Sequence, residues 1–123
     1  MTQTAKERIK ELRAWAKENL LDKEVYHPEL AEIICFTSTG IKEFLNQPHK
    51  DFNAKNELLK DIDVVILKSK FVDDAEDITG NPNHHYYYLE TKVEEELSYI
   101  VIRLTRHNRQ YALYSIVDKI KNR

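Results

Sequence analysis

HYYYLETKVEEELSYIVIRLTRHNRQYALYSIV, residues 85–117, holds three runs dense in Tyr, Val, Ile and Thr. They are His85–Val93, Leu97–Thr105 and Gln110–Val117, separated only by the short polar turns Glu94–Glu96 and Arg106–Arg109. Runs of that composition joined by turns of that length predict an antiparallel meander. Lys70–Val72 is expected as a fourth strand, at the edge. Ile100, Val101 and Ile102 are apolar in succession, so the middle strand is expected to be covered on both faces over part of its length.

Upstream of the sheet the hydrophobic period is helical. Thr4-Ala5-Lys6-Glu7 fits a capping box, and Ile9, Leu12, Trp15, Ala16 and Leu20 follow as one apolar stripe on a charged helix. That stripe suits a lid on the core or a helix that faces a partner. Lys23–Pro28 reads as an extended connector, because the residue before a proline avoids helix. Ala31–Phe36 suits a strand or a buried linker. One hydroxyl of Thr37, Ser38 and Thr39 is expected to cap a second helix, with Ile41, Phe44 and Leu45 on its buried face and Asn46–Pro48 ending it. Gly40, a poor helix former in the first turn, suggests close approach of a ligand to the backbone. A third helix is expected from Asp51 to about Leu67, although Val64–Leu67 fits a strand equally. Asp73–Asn83, with four acids, Gly80 and Pro82, reads as an exposed loop, and Asp118–Arg123 as a basic tail.

Helices first and strands second argue an α+β fold. The expectation is a single domain, 1–123, with a mainly helical part (1–67) packed on one face of a four-stranded antiparallel sheet (68–117). A chain of 123 residues can bury a modest core without metals or disulfides. Its 41% apolar content is too high for a disordered chain. The formal net charge of −2 supplies no global positive field, so nucleic acid binding requires basic residues gathered locally. Cys35, the single cysteine, sits in an apolar run and reads as a buried, inert thiol. The charged N-terminus does not resemble a signal peptide, and no segment has transmembrane length. A cytoplasmic place of action without membrane partners is therefore expected, with delivery by a phage or a non-classical export route left open.

Register offers one geometric argument about chemistry. With Arg106–Arg109 as a four-residue turn, Thr105 faces Gln110, Arg103 faces Ala112 and Val101 faces Tyr114. Side chains alternate, so Tyr99, Val101, Arg103, Ala112 and Tyr114 share one face. Ile100, Ile102, Leu104, Tyr111, Leu113 and Ser115 share the other, more apolar face, which should take the helices. A two-residue loop at Glu94-Glu95 puts Tyr86, Tyr88 and Glu90 with Arg103, whereas a loop one residue longer puts His85 there. The sequence leaves both open.

His27 reads as structural or exposed and His107 as solvated in its turn. His49 follows Pro48 at a helix end, and His84 and His85 open a strand. No His, Cys or carboxylate spacing fits a metal-ligand pattern, and no glycine-rich phosphate loop or nucleophile elbow is present, so no metal and no cofactor is expected. The remaining set suits acid–base chemistry. Imidazoles such as those of His49 and His85 trade protons near neutral pH. Lys42, Lys50 and Arg103 suit a phosphate, and Tyr86–Tyr88 offer faces for stacking bases. The same residues equally describe a basic rim and a tyrosine-rich sheet with no catalytic role.

The run FTSTGIKEFLNQPHKDFNAKNELL, residues 36–59, resembles phage- and toxin-associated domains of the barnase/EndoU/colicin/RelE-like (BECR) nuclease class. RAWAKENL (13–20), HYYYLE (85–90), YIVIR (99–103) and LYSI (113–116) extend the resemblance over nearly the whole chain. Domains of this class often sit at the C-terminus of phage head-morphogenesis or polyvalent proteins. The resemblance implies helices on a four-stranded antiparallel sheet and metal-independent endoribonuclease activity on the open face of that sheet. By position Lys42, His49, Lys50, His85 and Arg103 match motif residues of the class, with Tyr114 and Ser115 on the last strand. The expected catalytic residues are thus His49, His85, Arg103 and Lys42, with Lys50, Ser38, Tyr86, Tyr88, Tyr114 and Ser115 expected to hold substrate. The implied partners are RNA, such as tRNA or mRNA, and an immunity or antitoxin protein. A catalytically inactive relative that binds protein or RNA is the alternative. The acidic stretch Asp73–Asp77 and the negative net charge depart from the class pattern.

Overall fold

The computed structural model describes residues 4–120. Helix α1 spans Ala5–Asn19, and Thr4 caps it by accepting the Glu7 amide proton at 3.1 Å. Its buried residues, Leu12 and Ala16, face the core. Two four-residue strands follow, β1 (Glu24–His27) and β2 (Glu32–Cys35), then α2 (Ser38–Asn46). Thr37 caps α2 through the Gly40 amide, as the hydroxyl cluster suggests. The expected third helix is broken into α3 (Phe52–Glu57), a 3₁₀ turn (Leu58–Asp61) and α4 (Ile62–Lys68). Val64–Leu67 is therefore helix.

The sheet departs from the expectation. It has six strands, β3 (Lys70–Glu76), β4 (His84–Val93), β5 (Glu96–Thr105) and β6 (Gln110–Val117) joining the first two, in the order β1-β2-β6-β5-β4-β3. β3 to β6 form the expected antiparallel meander. β1 pairs antiparallel with β2, and β2 pairs parallel with β6 through Ile34–Tyr111 and Cys35–Ala112. The sheet is thus mixed and six-stranded rather than four-stranded and antiparallel. β1 and β2 are each too short to show a β period, and their place depends on a pairing some 76 residues away in sequence. The acidic stretch Asp73–Glu76 is part of β3 rather than of a loop.

Where β2 leaves β6, α2 takes over. A Cβ built on Gly40 would lie 1.8 Å from the Leu113 carbonyl oxygen. The glycine expected to admit a ligand instead admits the backbone of β6. The end of α2 is finished from outside as well. Pro48 has no N–H to offer the Phe44 carbonyl, and the Lys55 ammonium donates to it at 2.5 Å while Asn56 Nδ2 donates to the Leu45 carbonyl at 3.1 Å.

The core lies between the helices and one face of the sheet: Leu12, Ile41, Phe44, Leu59, Ile62, Leu89, Ile100, Ile102, Leu113 and Ile116 are among its members. Residues 118–120 follow β6, with Ile120 buried; residues 121–123 of the expected basic tail lie outside the described residues. Among the described residues no helix is long and apolar enough to cross a membrane.

Candidate functional site

Two local details decide what the open face carries. The β4–β5 turn is the two-residue one, with Glu94 and Glu95 both at positive φ (49° and 71°), so Tyr86 pairs with Arg103 and Tyr88 with Val101. His85 pairs with Leu104 and points to the helix side. On β6 the register slips between Leu113, opposite Ile102, and Ser115, opposite Val101. Tyr114 is the extra residue of this bulge. Ser115 is thereby moved from the helix side, where simple alternation puts it, to the open face beside Val101. Ile116 takes its place in the core.

The open face forms a cleft of about 510 Å³. Tyr86, Tyr88, Arg103, Tyr114 and Ser115 line it, together with His84, Asp77 and Thr79. Gln47 closes it at the end of α2 and Lys119 beyond β6. Arg103 lies with Cζ 4.4 Å from the centre of the Tyr114 ring, and that ring is 5.7 Å from Tyr86. Among the described residues Arg103 has no carboxylate within ion-pair distance, so its donors remain available to an anion. The Ser115 Oγ is buried without a hydrogen-bond partner among the described residues.

Asp77 organises the other wall. It opens the β3–β4 turn, which Gly80 closes with φ 82° by donating to the Asp77 carbonyl at 2.9 Å. The Thr79 amide and hydroxyl both donate to Asp77 Oδ1, at 2.7 and 2.5 Å. These bonds hold the Asp77 carboxyl below the usual carboxylate range, helped by Tyr86 and His84. The Tyr86 hydroxyl donates to Asp77 Oδ2 at 3.1 Å. Burial, reinforced by that carboxylate, pushes the Tyr86 phenol up to about 12. His84 Nδ1 lies 3.5 Å from the same Oδ2, and its Nε2 has no partner among the described residues. An imidazole oriented by a carboxylate, a guanidinium and three tyrosines thus share one cleft. The arrangement can move a proton beside a bound anion.

A family model described as large polyvalent protein-associated domain 3 (LPD3) matches residues 3–114. The chain belongs to this family. The match agrees with the polyvalent-protein setting that the sequence resemblance implies. No curated protein and no solved structure matches the chain.

In this LPD3 chain the other expected site residues lie elsewhere. His49 is fully engaged: its Nδ1 accepts the Asp51 amide at 2.9 Å and its Nε2 meets Ser98 Oγ at 2.8 Å, while burial lowers its pKa. It ties the α2–α3 corner to β5 on the helix side. Ser98 is five residues from Arg103 along β5, roughly 17 Å at strand rise. Lys50 is next to it, its amide donating to Asp118 and its ammonium 4.0 Å from Glu96. His85 is clasped by carboxylates, with Nε2 2.6 Å from Asp74 and Nδ1 3.0 Å from Glu76, and its ring is 5.0 Å from Tyr87. Lys42 and Ser38 face outward from α2 and line a groove against α1. His49, His85 and Arg103 therefore do not converge. His27 is buried and structural, bonded to the Leu30 amide and the Ser69 carbonyl. Among the described residues no group of three or more His, Cys, Asp or Glu is arranged to hold a metal ion.

Neither His84 nor Asp77 is among the site residues expected from the sequence, although His84 opens the same strand as His85. His84 was within reach: it stands two residues before Tyr86, so strand alternation gives it the Tyr86 face. Asp77 was hidden among the acids of a stretch that reads as an exposed loop.

Proposed function

We propose that the open-face cleft is a metal-independent endoribonuclease site of the barnase/EndoU/colicin/RelE-like kind, and that the chain acts on RNA as a phage-associated effector. The observation that carries this reading is the meeting of His84, oriented by Asp77, with the guanidinium of Arg103, which faces no carboxylate among the described residues, beside Tyr86, Tyr88 and Tyr114. The tyrosines stack single-stranded bases, and Arg103 clamps the phosphate that follows. His84 Nε2 removes the proton of the ribose 2′-hydroxyl. That oxygen forms a new bond to the neighbouring phosphorus, the bond from phosphorus to the 5′-oxygen breaks, and a 2′,3′-cyclic phosphate remains. The leaving 5′-oxygen takes a proton from Tyr86, which burial keeps protonated, or from the imidazolium of His84. Arg103 offsets the charge that grows on the phosphoryl oxygens in the transition state.

Cleavage of an end-labelled mixed-sequence RNA in excess chelator tests the proposal. Wild type should cut, while His84→Ala and Arg103→Ala lose about a hundredfold or more. Intact RNA under every condition, or cutting that survives both substitutions, overturns it. The rival reading is an inactive module that holds RNA or a protein. It is favoured by Asp77, whose one oxygen already engages both Tyr86 and His84. On that reading RNA is retained and never cut.

A further inference from the structure

A basic groove of this acidic protein lies away from the cleft. Along α1, Lys6, Lys10, Arg13 and Lys17 follow at spacings of four, three and four residues, which puts all four on one helical face. Lys42 of α2 stands across from them. These five side chains, of the 19 Lys and Arg in the chain, line one groove of about 820 Å³ between the two helices, and no acidic residue lines it. All five are exposed, and among the described residues none has an ion-pair partner. Of the three acids of α1, Glu7 is engaged by Thr4, Glu11 by Arg8 at 3.0 Å, and Glu18 does not line the groove. Like charges at such spacings each cost an isolated helix a few tenths of a kcal/mol, so the stripe does not help α1 to form.

The floor of the groove is apolar. Ile9 and Leu21 are half-buried, and Ile41 reaches it from the core. A bare phosphate backbone makes use of the cations and gains nothing from such a floor. A peptide helix with an apolar stripe between rows of carboxylates satisfies both. From Lys6 to Lys17 the groove runs about 16 Å, three turns of such a helix.

We infer that the α1–α2 groove is a docking site for an acidic amphipathic helix of a protein partner, separate from the nuclease reading and sharing no residue with the cleft. The probe is a fluorescein-labelled peptide of about four helical turns, with leucines at one face and glutamates on both flanks, followed by anisotropy. Saturable binding is expected. It should weaken about tenfold or more in Lys10→Glu/Arg13→Glu, and as much when serine replaces the peptide's leucines. Lys60→Glu/Lys68→Glu, on exposed positions outside the groove, should leave it unchanged. Circular dichroism melts confirm that each variant is folded. The inference fails if no saturable binding occurs, or if a scrambled peptide of the same composition binds equally well. It fails too if a single- or double-stranded oligonucleotide of equal charge binds the groove more tightly, which makes the surface a nucleic-acid one. None of these outcomes depends on RNA cleavage.

Discussion

Lys55 sets a sharp test of the physical account. Its side chain is fully buried, its ammonium donates to the Phe44 carbonyl, and the rings of Phe44 and Phe52 lie 5.4 and 4.6 Å from Nζ. No carboxylate among the described residues offsets the burial, which lowers the pKa to about 7. A lysine depressed in this way costs stability in full below its folded pKa, and the cost fades as pH rises towards the unfolded value near 10.4. Between these limits the unfolded chain holds a proton that the folded chain lacks, so stability climbs with pH by about 1.4 kcal/mol per unit. By pH 9.5 the gain reaches about 3 kcal/mol. The two phenyl rings favour the ammonium by about 0.5–2 kcal/mol, which starts the climb higher and trims it towards about 2 kcal/mol. Urea unfolding followed by Trp15 fluorescence, at intervals from pH 6.5 to 9.5, reads this slope. Lys55→Met removes it, at the expense of an orphaned Phe44 carbonyl worth about 1–3 kcal/mol at every pH. The difference between wild type and variant cancels all other titrations, including those of Tyr86 and Tyr87, whose phenols burial raises to about 12. Parallel stability curves for the two proteins would mean that burial does not depress the Lys55 ammonium.

Further outcomes follow from the same geometry. Gly40→Ala drives a methyl group into the Leu113 carbonyl and should cost about 1–3 kcal/mol in chemical denaturation, despite alanine's better helix propensity. Replacing Glu94-Glu95 by Asn-Gly relieves two positive-φ residues at a hairpin turn and should raise the melting temperature, with a gain of about 0.5–1 kcal/mol. His49→Ala breaks the tie between the α2–α3 corner and Ser98, and should cost about 1–2 kcal/mol of stability while leaving RNA cleavage by the surviving folded fraction intact. His84→Ala should do the reverse.

The meander was legible because β4, β5 and β6 carry dense β-formers, and the Arg106–Arg109 turn fixed Thr105 opposite Gln110. Three things were not legible, each for a physical reason. β1 and β2 are four residues long and are held by a distant parallel pairing that no local period encodes. Glu-Glu is not the residue pair that a two-residue turn with two positive φ values prefers, so the parity of β4 stayed open, and with it the face of His85. The bulge at Tyr114 has no glycine to announce it, and it alone brings Ser115 to the cleft. Arg103 and Tyr114 were legible as one face from alternation along β5 and β6, and Tyr86 and Tyr88 join them because the Glu94-Glu95 turn has two residues. His49 and Lys42 did not join them, because helix ends and outer helix faces are placed by packing rather than by period.

As proposed, the cleft would break RNA through the 2′-hydroxyl. The most direct measurement pairs one RNA oligonucleotide with its 2′-deoxy analogue, both incubated with wild-type protein and chelator, with mass spectrometry of the product ends. The RNA alone should be cut, and its 5′ fragment should end in a 2′,3′-cyclic phosphate. Equal cutting of the deoxy analogue, or RNA recovered whole, would contradict it.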